Sequence, residues 1–266
     1  MADSSWPAQR AALDSDRFEV EVYRADLARD ADVDGLLKAP LIPRPCLVIA
    51  RVPTDRPRWV QALERDGYFL CDTLIYYRGL TARISSEAHA SSSRAQSGGA
   101  PTIRRGRPQD AERLAPVIRT AFTAFSGHYH QDARLDAARA TEGYVQWGLS
   151  SLSDPASFVL VAEIDDRMAG FITVQRLETD DGSGATEARI QLNGVDPAHQ
   201  GRGVYAALFR KAIDIMRSEA VAQVVVSTQL HNLGPQKVWV RHGLEPSQTQ
   251  HTLHRWYDEE SHEGSI

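Results

Sequence analysis

The chain has 266 residues, 42% hydrophobic and 24% charged, and its 30 Lys and Arg against 35 Asp and Glu leave a formal net charge of −5. That length allows one or two domains and a sizeable core without staples, and the acidic balance excludes a general binder of nucleic-acid backbone. Two cysteines, Cys46 and Cys71, exclude a disulfide scaffold and cannot complete a four-ligand zinc site by themselves.

Met1 to Val20 carries acids and no apolar stretch of the kind a secretory signal needs. Phe18, Val20 and Val22 alternate with Glu19 and Glu21, which predicts a strand with one buried face. Cys46 to Val52 reads as a buried strand. Its apolar run Leu47–Ala50 ends at Arg51, far short of the ~20 residues that cross a bilayer. The expected setting is therefore cytoplasmic, with no membrane and no nucleic acid as partner. Pro57 to Gly67 reads as a short helix, with Pro in its first turn and Gly past its end. Phe69 to Tyr77 reads as a strand. From Ser85 to Pro101 no apolar side chain exceeds Ala, so this Ser/Ala/Gly-rich stretch is expected to be a linker. It separates a small N-terminal α/β subdomain, residues 1–84, from a body, residues 102–266.

The body begins with a strand at Ile103–Arg105. A helix opens at Pro108 and presents Leu114, Val117, Ile118 and Phe122. His128 to Asp132 is expected to be a polar loop. The next helix carries Tyr144 and Trp147 three apart, on one face. Phe158–Ile164 and Ala169–Leu177 form a hairpin around Asp165-Asp166-Arg167. After a loop at Asp180–Gly184 comes a strand, Ala188–Val195, then a turn, Asp196–Gly203, and a helix, Val204–Ala220. Val221–Thr228 is apolar enough to be buried on both faces. Pro235–His242 is a short helix ended by Gly243, and Thr249–Tyr257 a closing strand. Antiparallel hairpins followed by a β-α-β unit predict an α+β fold on a mixed sheet.

One stretch carries chemistry: Leu192-Asn193-Gly194-Val195-Asp196-Pro197-Ala198-His199-Gln200-Gly201-Arg202-Gly203-Val204. It delivers a Gly-rich turn to a helix N-terminus, where backbone N–H groups have no intrahelical partner and the dipole is positive. Such a turn binds phosphate; the plainer alternative is a β-α turn that needs Gly for its geometry. Arg202 and Arg210 add charge nearby. The dinucleotide fingerprint G-x-G-x-x-G fails at Ala206.

Val195-Asp196-Pro197 followed by Gln200-Gly201-Arg202-Gly203 resembles the acetyl-CoA motif of the GNAT superfamily of acetyltransferases, Q/R-x-x-G-x-G/A, with Tyr205 where Gly or Ala is usual. The element order of residues 102 to 257 is similar too. The resemblance implies a GNAT-like fold and acetyl-CoA as co-substrate. Backbone of Leu192, Asn193 and Val195 would hold the acetyl and pantetheine arm. Amides from Gln200 through Gly201, Arg202, Gly203 and Val204 to Tyr205 would hold the pyrophosphate, and Asn232 would contact the arm. A narrower resemblance is to TDP-fucosamine acetyltransferases. It rests on Thr228-Gln229-Leu230-His231-Asn232, Lys237-Val238-Trp239 and Gly243, on Leu63 to Phe69, and on Tyr144-Val145-Gln146-Trp147. It implies a small-molecule amine acceptor, a nucleotide-linked amino sugar among the candidates. Other acceptors are a peptide N-terminus, an aminoglycoside or a polyamine. A third class of reading is a non-catalytic acyl-CoA-binding module.

Trp239 stands where the superfamily's tyrosine protonates the departing CoA thiolate, and an indole has no such acid chemistry. Replacement acids are His254, Tyr257 and His231, with packing on the last strand as the plainer role for His254 and Tyr257. Candidates for the base are His130, Asp132 and Glu187. His128, Tyr129 and His130 are expected to border the acceptor; a solvated polar loop is the alternative. An H-x-H pair without other ligands is too sparse for a metal site, and Cys71 on a strand is expected to be inert. Arg104, Arg105 or Arg134 would mark a groove for a nucleotide. An edge strand leaves homodimerisation open.

Overall fold

The computed structural model describes residues 6–27, 33–38, 42–85, 99–123, 125–178 and 186–258. In chain order the elements are β1 (Gln9–Arg10), α1 (Ala12–Phe18), β2 (Glu21–Asp26), α2 (Val33–Leu37), β3 (Cys46–Pro53), α3 (Pro57–Arg65), β4 (Phe69–Leu80), β5 (Thr102–Arg105), α4 (Ala111–Thr123), α5 (His128–Gln131), α6 (Ala137–Ser150), β6 (Ser157–Ile164), β7 (Arg167–Glu178), β8 (Thr186–Val195), α7 (Val204–Ser218), β9 (Gln223–Gln229), α8 (Leu233–Arg241) and β10 (Glu245–Tyr257). Among the described residues no helix is long and apolar enough to cross a membrane.

The chain forms two compact units, and their boundary is not the expected one between residues 84 and 102. The first comprises residues 1–74, 126–140 and 248–266; the second comprises 75–125 and 141–247. Most of the expected linker and the 180–184 loop lie outside the described residues.

In the first unit β3 is the central strand. β2 runs parallel to it from Glu21↔Cys46 to Asp26↔Arg51, and β10 antiparallel from Tyr257↔Cys46 to Gln250↔Pro53. Alternate β3 residues feed two cores. Cys46, Val48, Ala50 and Val52 pack with Leu36, Leu63, Tyr68 and Leu253. Leu47 and Ile49 pack with Phe18, Val22, Tyr129 and Leu135. This is the period-2 alternation of a strand buried on both faces. Phe18 and Val20 were expected in a strand with Val22; instead Phe18 ends α1, Glu19 turns with φ 55° and β2 starts at Glu21. Ser15 explains the difference. Its Oγ donates to Ala11 O at 3.1 Å and accepts from Val22 N at 2.9 Å, so helix and strand are tied by one hydroxyl. The expected loop at His128–Asp132 also contains the helical turn α5, and it buries His128, Tyr129 and Asp132.

The second unit is a sheet with helices on both faces. β5 pairs with β6, β6 with β7 and β7 with β8, all antiparallel, and β9 joins β8 in parallel. Leu114, Val117, Ile118 and Phe122 of α4 and Val145 of α6 cover Val159, Val161, Phe171 and Leu192 on one face. On the other, Val204, Leu208, Ala212, Ile213 and Met216 of α7 and Trp239 of α8 cover Leu160, Ala162, Ile172, Ala188 and Ile190. Trp147 was expected to share the face of Tyr144, yet it is 42% exposed while Tyr144 stacks on Phe122 at 4.4 Å. The buried α6 face instead runs through Val145 and Gly148.

A Cβ at Gly194 would stand 2.7 Å from Ala121 Cβ and 2.9 Å from Phe171 Cε1, whereas one at Gly234 would meet nothing within 4 Å. Gly194→Ala is therefore expected to destabilise the protein by about 1–3 kcal/mol through overpacking. Gly234→Ala, in α8, is expected to be neutral or to stabilise by up to about 1 kcal/mol. Denaturant unfolding of both variants checks the pair; equal midpoints would refute the packing argument.

Candidate active site

The second unit holds the motif. β8 and β9 pair from Glu187↔Gln223 to Ile190↔Val226, after which β8 continues to Val195 and β9 to Gln229. The register of β8 on β7 slips between Thr173 and Val174, which leaves Gln191 as an extra residue at a bulge. Thr173 Oγ1 fills the gap by accepting from Leu192 N at 3.0 Å, so this one of the three expected backbone contacts is already engaged. Strand alternation turns the polar groups of Asn193 and Val195 away from β7. Val195 O accepts from Gln200 Nε2 at 3.3 Å.

Past β8, Asp196 closes the turn by accepting from Ala198 N at 2.8 Å. Gly201 and Gly203 take φ of 74° and 76°, conformations other residues adopt only with strain, and a Cβ on either would meet nothing within 4 Å. The turn is exposed and open, and it runs straight into α7. Arg202 and Arg210 form no ion pair among the described residues.

Asn232 caps the space after β9. Its Nδ2 donates to Thr228 Oγ1 at 2.9 Å. Sequence reasoning passed over Gln236, whose Nε2 donates to Leu230 O and Asn232 O, both at 3.0 Å, and holds that turn in place. Trp239 is 0% exposed, and its Nε1 donates to Tyr205 Oη at 2.6 Å. Its only polar atom is thus engaged inside the unit. Burial pushes the Tyr205 hydroxyl up, so it stays protonated at neutral pH. Glu187 has both oxygens occupied, by Arg189 Nε at 2.8 Å and Gln223 Nε2 at 2.9 Å, which makes it a cross-strand tie. His231 is exposed. Arg104 is held by Asp110 and Glu163, and Arg105 by Glu219, so neither offers an unpaired charge to a phosphate.

The first unit holds the histidines. His254 Nδ1 lies 2.8 Å from Asp132 Oδ2, and His254 Nε2 lies 2.9 Å from His128 Nδ1. The three are 0%, 2% and 6% exposed. Trp256 Nε1 also donates to Asp132 Oδ2, at 2.9 Å, and Arg134 N to Oδ1 at 3.0 Å. Burial raises the Asp132 carboxyl, but these hydrogen bonds outweigh it and hold the group below the usual carboxylate range. Burial, together with His254, Arg51, Arg24 and His130, pushes His128 well below the ordinary imidazole value. Burial lowers His130 as well. Tyr129 Oη donates to buried Asp14 at 2.8 Å and accepts from Arg24, so it braces the fold. Tyr257 lies in the core beside Tyr68. Burial raises the Cys71 thiol to about 12, which leaves it inert. Arg134 stacks on Trp256 and pairs with Asp258 at 2.5 Å.

Residues 116–244 match the family model described as Acetyltransferase (GNAT) family. The match spans a little under half of the chain, from within α4 to the start of the last strand, and takes in the Gly-rich turn. The spore coat polysaccharide biosynthesis protein SpsD of Bacillus subtilis is 27% identical over 154 residues, 58% of this chain and 50% of that protein. Mycothiol acetyltransferase of Saccharopolyspora erythraea is 29% identical over 125 residues, 47% of this chain and 38% of that protein. The chain thus spans half or less of the length of these two curated relatives. A GCN5-related N-acetyltransferase from Sphaerobacter thermophilus superposes with a TM-score of 0.53 at 16% identity, over 81% of this chain and 62% of that one. That likeness is one of fold: the mixed sheet and its helices are those of a GNAT fold.

The Tyr205–Trp239 pair and the buried histidines each generate a prediction. Tyr205→Phe strands a buried indole N–H and is expected to cost about 1–3 kcal/mol. Trp239→Phe removes the donor itself, and the double variant is expected to cost less than the sum of the two; additive costs in a double-mutant cycle would remove the coupling. For pH, the folded chain keeps His128 neutral while the unfolded chain protonates it near pH 6.5. Below that pH the unfolded state binds more protons, so stability is lost as pH falls through about 6.5. Urea midpoints from pH 8 to pH 5 check the sign.

Proposed function

We propose that the protein is an N-acetyltransferase that moves an acetyl group from acetyl-CoA to a primary amine of a saccharide, a nucleotide-linked amino sugar being the first candidate. The observation that carries the reading is the parting of β8 from β9 beyond Ile190↔Val226, next to an open Gly turn that starts α7. The donor set fits. The first N–H groups of a helix lack intrahelical partners, and those that follow Gly201 and Gly203 face a turn with no side chain in the way. Amides from Gln200 to Tyr205 take the pyrophosphate, with Arg202 and Arg210 adding charge. Asn193 and Val195 offer strand N–H groups to the acyl arm, and Asn232 offers its side chain.

Acetyl-CoA supplies the acetyl group as a thioester. The chain's residues bind and orient it, and N–H groups of β8 stabilise charge that develops on the carbonyl oxygen. Tyr205 keeps an O–H that no described residue accepts, and Trp239 fixes its oxygen. That hydroxyl is the group in the second unit suited to protonate a leaving thiolate. The saccharide acceptor is supported by the relative named for spore coat polysaccharide biosynthesis and by the short resemblances at Thr228–Asn232 and Tyr144–Trp147.

Gly203→Asp and Gly203→Asn share shape and backbone strain but differ by one charge. Acetyl-CoA is expected to bind the Asp variant at least about 10-fold more weakly than the Asn variant, the equivalent of about 1.4 kcal/mol. Calorimetric titration reads the difference, and equal affinities would displace the pyrophosphate from this turn. CoA release against a panel of amines tests the reaction, with nucleotide-linked amino sugars first, then aminoglycosides, polyamines and peptides. Binding of acetyl-CoA without turnover of any amine would leave a non-catalytic acyl-CoA-binding module.

A further inference from the structure

Gln236 is buried in α8, and its side-chain amide lies between one hydroxyl and three backbone carbonyls. Tyr77 Oη donates to Gln236 Oε1 at 3.2 Å. Gln236 Nε2 donates to Leu230 O and Asn232 O, both at 3.0 Å, and to Gln229 O at 3.3 Å. The amide has one orientation open to it. Carbonyls only accept, so turning it over would set Oε1 against three oxygens. All of these residues belong to the second unit.

The pull on those carbonyls decides where the N–H groups of the turn point. In a trans peptide the C=O and the N–H that follows it point in opposite directions. Leu230 O is drawn inward to Gln236, so the His231 N–H points outward, on an exposed turn. That N–H meets no acceptor among the described residues. Asn232 O is drawn inward too, but the Leu233 N–H behind it is already taken by His231 O at 3.0 Å. Asn232 spends Nδ2 on Thr228 Oγ1, and no described residue donates to its Oδ1. The turn thus offers one donor and one acceptor on consecutive residues, the complement of a secondary amide.

We propose that Gln236, oriented by Tyr77, is a positioning residue for acetyl-CoA: it aims the His231 N–H outward as a hydrogen-bond donor to an amide carbonyl of the acyl arm. The proposal rests on the acetyl-transfer reading. β9 leads into this turn after it has parted from β8, so the turn stands at the end of the released edge. Tyr77 braces two neighbouring parts of the unit. Its hydroxyl orients Gln236, and its ring packs on Trp239 with centroids 5.4 Å apart. Trp239 in turn holds Tyr205, in the first turn of α7. The strand-end turn and the start of α7 are therefore set against one side chain.

Binding and spectra of the full chain test the assignment. Gln236→Met keeps the length of the side chain and deletes its donors. Calorimetric titration with acetyl-CoA is expected to show affinity about 10-fold weaker than wild type. Tyr77→Phe removes only the orienting hydroxyl and is expected to weaken affinity by less. Met216→Ala, in the last turn of α7, controls for lost stability alone: its urea midpoint is expected to fall with affinity unchanged. With an amine that the wild-type protein acetylates, Gln236→Met is expected to raise KM for acetyl-CoA and to keep kcat within about twofold. Amide NMR of the wild type is expected to show the His231 proton moving downfield as acetyl-CoA saturates the protein. Gln236→Met is expected to lose that movement. Affinity within about twofold of wild type in Gln236→Met, or a His231 amide that stays in place while acetyl-CoA binds, would overturn the proposal. Should Gln236→Met not fold, unchanged affinity in Tyr77→Phe overturns it instead. Wild-type protein that binds no acetyl-CoA would refute the acetyl-CoA reading itself, and with it the ligand of this donor.

Discussion

The second unit depends on two parallel strands that stop pairing halfway. β8 and β9 are neighbours only up to Ile190↔Val226. A sheet interior does not normally leave backbone donors and acceptors unmatched, because each buried orphan costs as much as a lost hydrogen bond. Here the break is engineered on the opposite side of β8. The bulge against β7 puts one extra residue into β8, and the Thr173 hydroxyl makes good the displaced ladder bond. Gly170 and Gly194 then allow an approach close enough that a Cβ at Gly170 would stand 2.8 Å from Gly194 O. β8 is thus held firmly on one edge and released on the other. The released edge and the start of α7 are consecutive in the chain, so one local distortion sets both the strand amides and the helix N-terminus.

The first unit makes the opposite bargain with polarity. It encloses a carboxylate and two imidazoles, where an unpaired charge would cost several kcal/mol. The arrangement is tolerable because Asp132 receives hydrogen bonds from His254, Trp256 and the Arg134 amide. Low dielectric then strengthens each of those bonds while raising the penalty for losing any one. A second buried group, Asp14 with Tyr129, Arg24 and Arg17, follows the same rule. The two groups differ in what surrounds the carboxylate: Asp14 pairs with two arginines, and Asp132 meets a line of two imidazoles.

Local signals in the chain were legible. The Gly-rich turn, the hairpin around Asp165 and Asp166, the buried strand at β3 and the apolar faces of α4 and α7 all appear where spacing and composition place them. These features are set within a dozen residues. Long-range partnerships were not legible. Asp132 and His254 both stand out as chemically interesting, yet nothing local says that residues 122 apart share a hydrogen bond. The polar composition of His128-Tyr129-His130 points to a solvated loop, and tertiary hydrogen bonding overrides it. The same holds for Ser15, whose hydroxyl turned an apparent strand at Phe18 into the end of a helix. The linker-like stretch misled the division into units for a related reason: composition marks where a chain does not pack and is silent on which distant segments return to which core.

The two departures from the acetyl-CoA motif make sense only as a pair. Tyr205 puts a large side chain where the motif has Gly or Ala, and Trp239 puts an indole where the superfamily has a hydroxyl. Considered singly, the first crowds a turn and the second deletes an acid. In the structure the indole N–H and the phenol oxygen meet at 2.6 Å, and Tyr77 closes on the indole ring with centroids 5.4 Å apart. The α8 indole is thereby tied to a hydroxyl on α7. An indole donates but cannot accept, so it leaves the phenol's own proton uncommitted while holding its oxygen still. A phenylalanine at residue 239 would fill similar space without fixing that oxygen, and a glycine at residue 205 would leave a buried N–H unmet. In the packing each residue satisfies the other: the buried indole N–H has its acceptor and the phenol oxygen its donor, so a change at either position is felt at both.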